Sequence, residues 1–268
     1  MEVSDVAGPS LPDALAGFPA LRERIASAKP ALFLDLDGTL APIAARPDMV
    51  EVPAETLETV DRLARLCPVA VVSGRGLEDL KDKIGLRSVY YVADHGFQIE
   101  GPLRDRVVFE MGRESRPQIE QAARQLHRTL EGIEGALVEE KGLSLSVHYR
   151  LTPEAKHPAV FRAVADVAEM FPALRVTEGK LVYEFRPPGA WDKGKALLWL
   201  LDHLGGHGGH LPIALGDDLT DEDMFAAVEG SGVGVIVGDP GRPTRASYRV
   251  DDRMAAARLL EAIGGLLV

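Results

Sequence analysis

The stretch Ala31–Leu40 reads ALFLDLDGTL and joins an unbroken apolar run to two carboxylates, a glycine and a threonine. Ala31 to Leu34 shows no polar alternation, the pattern of a central parallel strand covered by helices on both faces. Asp35 and Asp37 then fall at its carboxyl end, where open α/β sheets place their ligand sites. If the chain stays extended after Leu34, alternate side chains share a side and the two carboxylates converge. Like charges held that close need a cation or a shared proton. Gly38 permits the turn that follows, and Thr39 offers a hydroxyl beside it.

The same design recurs along the chain. Val69–Val72 is a second apolar run and ends in Ser73-Gly74-Arg75; Val89–Ala93 is a third and ends in Asp94-His95-Gly96. Ile213–Leu215 leads into GDDLTDEDMF, with Asp217, Asp218 and Asp221. Between these runs lie helical patterns: one opened by Pro53, one over Leu77–Ile84, one over Trp191–Leu204 with Lys193 near its start, and a closing one over Met254–Leu267. Thr220 is expected to cap the helix that carries Met224, Phe225 and Val228. Strand and helix in alternation predict an α/β fold, a Rossmann-like doubly wound parallel sheet with right-handed crossovers.

The rhythm changes in the middle of the chain. Short antiparallel strands are expected around Gly101-Pro102, then a helix through Ile119, Ala123 and Leu126. LSLSVHYR, residues 143–150, alternates cleanly, and Lys180–Arg186 sets Leu181, Tyr183 and Phe185 against Lys180, Val182, Glu184 and Arg186, so each reads as a strand with one apolar and one largely polar face. Residues 111–186 are therefore expected to form an inserted α+β domain. The core is then split into 29–110 and 187–268, with Gly101-Pro102 and Pro187-Pro188-Gly189 as hinges. Residues 1–28 read as a mobile N-terminal extension ending in a short helix at Pro19–Ala28, and Gly205–His210 as a loop without a metal-ligand cluster.

With 268 residues and a net charge of −11, the chain has ample length for a buried core and no basis for a general nucleic-acid or anionic-membrane surface. The single cysteine, Cys67, excludes an intramolecular disulfide and reads as a small buried hydrophobe. No run is long and apolar enough to span a bilayer, so a cytoplasmic monomer is expected.

A parallel sheet would bring the ends of these strands to one edge. There Asp35, Asp37 and Asp217 form an all-oxygen site suited to Mg²⁺, and Ser73 and Lys193 can hold the oxygens of a phosphate. An acidic protein that handles an anion needs such local positive charge. The set suits phosphoryl transfer to a carboxylate nucleophile, with a neighbouring aspartate protonating the leaving alkoxide and later activating water.

DLDGTL, VVSGR, WDKGKAL and GDDLTDEDMF, in that order, resemble the four motifs of the haloacid dehalogenase superfamily, whose C2-type cap lies between the second and third. The continuation DLDGTLAPIAARPD, the DHG after the third strand, SVHYR and YEFRP narrow the resemblance to trehalose-phosphate phosphatases, over roughly residues 31–238. The resemblance implies Asp35 as nucleophile and Asp37 as general acid/base. It makes Ser73 and Lys193 the phosphate binders, with the metal held by Asp35, the backbone carbonyl of Asp37, and Asp217. Asp218 and Asp221, with Thr39, would stand behind these groups. Register with the family's KG pair, rather than chemistry, selects Lys193 over Lys195.

A sugar phosphate is the implied substrate, and the polar face of the insert offers donors and acceptors for it: His148, Arg150, Lys180 and Glu184. The alternative for His148 and Arg150 is the solvated side of an antiparallel sheet. Gly74, Arg75 and His95 belong to the same candidate cleft. Arg75 either touches substrate or shapes its loop by pairing with an acid, and His95 either lines the cleft or packs structurally. Other sugar phosphates (sucrose phosphate, mannosyl-phosphoglycerate, hexose phosphates), a phosphomutase and a non-catalytic sugar-phosphate sensor are the competing functions.

Overall fold

The apolar run at Ala31 forms strand β1 (Pro30–Asp35), buried at every position. Around it the computed structural model, which describes residues 11–44, 46–205 and 209–268, builds an α/β sheet with helices on both faces. In chain order come α1 (Phe18–Ala26), β1, α2 (Ala54–Ala64), β2 (Val69–Val72), α3 (Leu77–Ile84), β3 (Tyr90–Ala93), β4 (Gln98–Glu100) and β5 (Val108–Glu110). The insert follows as α4 (Arg116–Leu130), β6 (Leu137–Glu140), β7 (Leu145–His148), α5 (His157–Met170), β8 (Arg175–Gly179) and β9 (Val182–Arg186). The chain then returns through α6 (Lys193–His203), β10 (Leu211–Gly216), α7 (Glu222–Val228), β11 (Val233–Val237), β12 (Tyr248–Val250) and α8 (Arg253–Leu267).

The large sheet has eight strands in the order β12-β11-β10-β1-β2-β3-β4-β5, parallel from β12 to β3 and antiparallel beyond. The missing alternation in β1 has a direct cause. Leu32 and Leu34 join Val71, Ile213 and Leu215 under α2 and α8, while Ala31 and Phe33 join Ala70, Val72 and Ala214 under α6 and α7. Each large side chain so buried stabilises the fold by roughly 2 kcal/mol. Because β1, β2 and β10 are parallel neighbours, Asp35, Ser73 and Gly216-Asp217 arrive at the same edge.

The insert is a four-stranded antiparallel sheet, β6-β7-β9-β8. One face packs on α4 and α5 through Leu145, Val147 and Phe185 against Ile119, Leu126, Val160 and Val164. Its other face is only partly wet, where the alternation of residues 143–150 suggested a solvated one: His148 is half-buried and Arg150 exposed. Ser144 and Ser146 are fully buried, because that face lies against the large sheet's loops.

Several boundaries differ from the sequence expectation. Lys180 lies outside the strand it was expected to share with Glu184: the chain turns between β8 and β9 at Lys180-Leu181, and Leu181 takes a left-handed φ of 62°. Pro53 is the N-cap of α2 rather than its first residue, and Asp192 caps α6 by accepting the Lys195 N–H. Thr220 does not cap α7. Asp218 and Asp221 instead form a reciprocal capping box over the turn before it.

Gly101-Pro102 is the turn between β4 and β5, inside the large sheet. Gly112 and Pro187 are where the segments entering and leaving the insert touch, since a Cβ on Gly112 would lie 2.6 Å from Pro187. Residues 11–28 are not a loose lead-in either: Ala14 donates to the Arg249 carbonyl, and α1 buries Leu21 and Ile25 against the core. Residues 1–10 of that extension, and 206–208 of the Gly/His run, lie outside the described residues. Among the described residues, no helix is long and apolar enough to cross a membrane.

Candidate active site

β1 ends at Asp35, and Leu36 begins a tight turn in which the Leu40 and Ala41 N–H groups donate to the Leu36 carbonyl. Gly38 sits in that turn at φ 95°, and a Cβ there would fall 2.1 Å from Asp217 Oδ2, so the loops carrying Asp35 and Asp217 touch through a glycine. Asp35 is almost fully buried. Lys193, the first residue of α6, places Nζ 2.7 Å from Asp35 Oδ1 and 2.7 Å from Asp221 Oδ1. The remaining oxygen of Asp221 accepts the backbone N–H groups of Asp217 and Asp218, which shapes the loop after β10.

Asp35, Asp217 and Asp221 each bring a carboxylate oxygen within 4.8 Å of the others. Burial raises the Asp35 pKa well above the usual carboxylate value, and the Asp221 and Asp217 charges add to this against the pull of Lys193. Asp217 is pushed up to about 7 by burial and by the charges of Asp221 and Asp218. Burial alone would lower Lys193, yet Asp221 and Asp35 raise it above the usual lysine range, so it is a permanent cation.

Two sequence expectations change here. The carboxylate of Asp37 does not join the acid cluster; Asp221 takes that place among the described residues, while Arg75 grips both oxygens of Asp37 at 2.8 Å. Thr39 is buried, and its hydroxyl makes no hydrogen bond to the acids.

Ser73 and Gly74 follow β2. The Ser73 hydroxyl accepts the Arg75 N–H at 3.2 Å, leaving its own proton free to donate. Gly74 is required by close approach: a Cβ would lie 2.4 Å from His95 Cε1. After β3, Asp94, His95 and Gly96 all take left-handed φ values of 51°, 55° and 98°, which turns His95 toward the insert.

Glu184, on β9, is the hub of the facing wall. Its Oε1 accepts from His95 Nε2 at 2.8 Å, Lys141 Nζ at 3.0 Å and Ser146 Oγ at 3.2 Å, and Oε2 accepts from Arg186. Burial opposes its charge, but His95, Lys141 and Arg186 hold it far below the usual carboxylate range. Burial lowers His95 to about 4, so its imidazole is neutral and donates through Nε2. Asp94 accepts the Leu143 N–H at 3.0 Å and the Ser144 hydroxyl, binding the first turn of the insert sheet to the end of β3.

These walls enclose one cavity of about 480 Å³, ordinary for a small-molecule site. Asp35, Asp37, Ser73, Arg75 and Lys193 line one side, and His148, Arg150, Lys180 and Glu184 the other. Asp217, Asp221 and Thr39 are not among its lining residues.

The sequence pattern of the trehalose-phosphatase family matches residues 33–254. The chain belongs to the trehalose-phosphatase family. A trehalose-phosphate phosphatase of Mycobacterium tuberculosis is 39% identical over 258 residues, covering 94% of this chain and 66% of that protein. Trehalose-phosphate phosphatase B of Arabidopsis thaliana is 37% identical over 244 residues, covering 87% of this chain and 65% of that protein. The chain therefore spans less than two thirds of the length of these two relatives. The C-terminal domain of a trehalose-6-phosphate phosphatase from C. albicans superposes with a TM-score of 0.78 at 23% identity, over 96% of this chain and 98% of that one, a likeness of fold.

In this trehalose-phosphatase family member, Lys193 and not Lys195 reaches the acids. Lys195 is exposed and pairs with Asp192 on the outside of α6. His148 donates through Nε2 to Glu139 Oε2 at 2.7 Å, and Arg150 and Lys180 are exposed at the cavity lip. Glu139 and Lys141 line the cavity and were not singled out from the sequence. The signal for Lys141 was the turn Lys141-Gly142 just before an alternating strand, which reads as solvent-exposed until the insert docks.

Proposed function

We propose that this chain is a Mg²⁺-dependent phosphatase that hydrolyses trehalose 6-phosphate through an aspartyl-phosphate on Asp35. Family membership supports the substrate. The observation that carries the chemistry is a buried carboxylate, Asp35, fixed by Lys193 at the floor of a cavity whose far wall is polar.

Asp217 Oδ1 is a buried oxygen with no hydrogen-bond partner, and Asp35 and Asp217 both resist ionisation in the absence of more positive charge. That donor set fits a hard divalent cation taken up through carboxylates, with Asp35, Asp217 and the Asp37 carbonyl as its ligands. When bound, magnesium supplies the positive charge that offsets the acids and the phosphate oxygens.

Lys193 directs two N–H groups at Asp35 and Asp221, which leaves its third for a phosphate oxygen. Ser73 donates its free hydroxyl proton to another. The Asp35 oxygen attacks phosphorus as the bond to the sugar oxygen breaks, and Asp37 gives that oxygen its proton. Asp37 then takes a proton from the water that attacks the phosphoenzyme, releasing phosphate and regenerating Asp35. Residues 111–186 act as the cap that recognises the sugar. Lys180, Arg150 and Lys141 offer donors and Glu139 an acceptor, the balance a glycan's hydroxyls require.

Phosphate release across a panel of sugar phosphates, with and without a chelator, tests this. The expected result is a rate on trehalose 6-phosphate well above that on glucose 6-phosphate and lost on chelation. Equal rates on the two sugars would defeat the substrate assignment.

A further inference from the structure

We infer that Arg75 is a positioning residue that acts through Asp37 and touches no substrate. This rests on the reading of Asp37 as the group that protonates the leaving oxygen.

The geometry is a fork. Arg75 Nε meets Asp37 Oδ2 and Nη2 meets Asp37 Oδ1, each at 2.8 Å, which occupies both carboxylate oxygens at once. Such a bidentate pair fixes direction as well as distance. Arg75 is itself immobilised. Its side chain is 8% exposed, and Nη1 donates to Asp79 Oδ2 at 2.6 Å and to the Pro47 carbonyl at 3.0 Å. Its backbone is tied at both ends, the N–H to Ser73 Oγ and the carbonyl to the Asp94 N–H.

Asp37, by contrast, is partly exposed at the cavity edge, and Arg75 is its only side-chain partner among the described residues. A carboxylate two residues from Asp35 has a buried cation and an acid cluster within the same site to turn toward. The fork keeps it apart from both, on the cavity side where a leaving oxygen departs. Four of the five guanidinium N–H groups are directed at Asp37, Asp79 and the Pro47 carbonyl, so Arg75 has no two-pronged edge left for a phosphate. The guanidinium charge is permanent.

A proton donor matters more as the leaving group becomes more basic. Misplacing Asp37 should therefore harm an aryl phosphate with a poor leaving group far more than one with a good leaving group. The test measures kcat/KM for phenyl and 4-nitrophenyl phosphate in the magnesium-loaded full chain. The variants are Arg75→Lys, Arg75→Gln, Asp79→Asn, Asp37→Asn and the Arg75→Gln/Asp37→Asn pair.

Both Arg75 variants are expected to lose about 10- to 100-fold on phenyl phosphate and less than about threefold on 4-nitrophenyl phosphate, up to the lower end of the roughly 100- to 10,000-fold a general acid contributes, since the acid is misplaced and not removed. Lysine does not rescue, because it keeps the charge without the fork. Asp79→Asn, at a half-exposed side chain away from substrate, shows the same pattern at smaller amplitude and covers the case in which the Arg75 variants fail to fold. The double variant should be no slower than Asp37→Asn alone within about twofold, the mark of two residues acting as one unit.

Equal losses on both esters in the Arg75 and Asp79 variants, or full additivity in the double variant, would overturn the inference. Asp37→Asn without leaving-group dependence would instead break the reading of Asp37 on which it rests.

Discussion

Lys193 Nζ lies 2.7 Å from Oδ1 of Asp221, so a carboxylate with no exposed surface fixes the cation that meets Asp35. Asp221 also holds the Asp217 and Asp218 N–H groups, which makes one residue responsible for both the lysine and the neighbouring acid loop. Asparagine there would present an amide N–H to donors already in place. Asp221→Asn is expected to lower stability by about 3 kcal/mol, as breaking a buried pair does. Urea unfolding would check this, with exposed Asp218→Asn as the mild comparison; equal midpoints for the two would show that the pair is not holding the site.

Lys180 and Glu184 were expected to behave alike, and the structure separates them. Lys180 is an exposed turn residue at the cavity lip, whereas Glu184 is enclosed by four donors. Lys180→Ala should raise KM for trehalose 6-phosphate by about tenfold, the worth of one charge-assisted hydrogen bond. Its melting temperature and its rate on 4-nitrophenyl phosphate should stay unchanged. Glu184→Gln should lower the melting temperature as well. Parallel behaviour of the two variants in melting would contradict their different burial.

Asp94 and His95 give stability opposite dependences on pH. Asp94 is raised to about 6 by burial, so between roughly pH 6 and 4 the folded state holds a proton that the unfolded state releases, and acidification stabilises. His95 is lowered to about 4, so between pH 6.5 and 4 the unfolded state holds the extra proton, and acidification destabilises. Each slope is about 1 kcal/mol per pH unit, and the two nearly cancel. In Asp94→Asn the Asp94 contribution is gone and no longer offsets that of the histidine. Melting temperature should then fall more steeply from pH 6.5 to 4 than in the native chain, and superimposable profiles would refute the assignment.

The core was legible because its strands are covered on both faces. ALFL and VAVV carry no alternation for the physical reason that Leu32 and Phe33 face two different helix layers, and both need apolar contact. The edge strands of the insert were not legible. LVEE at Leu137–Glu140 and RVTEG at Arg175–Gly179 are largely exposed, so nothing distinguishes them from loops. Lys180 looked like part of a strand because alternation runs straight through a hairpin turn built on Leu181, a residue that gives no turn signal. Lys141 was hidden for a different reason. Its burial comes from packing between segments far apart in sequence, Asp94 and Glu184 among them, and local pattern carries no trace of that.

The same limit applies to Asp37. Two aspartates in DLDG suggest one shared cation, but Leu36 starts a turn and Arg75, 38 residues away, claims the second carboxylate.

The most direct measurement is to quench the enzyme in acid during turnover of phosphate-labelled trehalose 6-phosphate and map the label. Borohydride reduction of an acyl phosphate at residue 35 expels the labelled phosphate and leaves homoserine in place of that aspartate, which marks the site of labelling in peptide mass spectrometry. Label on Asp35, and neither label nor turnover in Asp35→Ala, is the result expected. Turnover in Asp35→Ala, or label on any other residue, would contradict the assignment of Asp35 as the group that takes the phosphate.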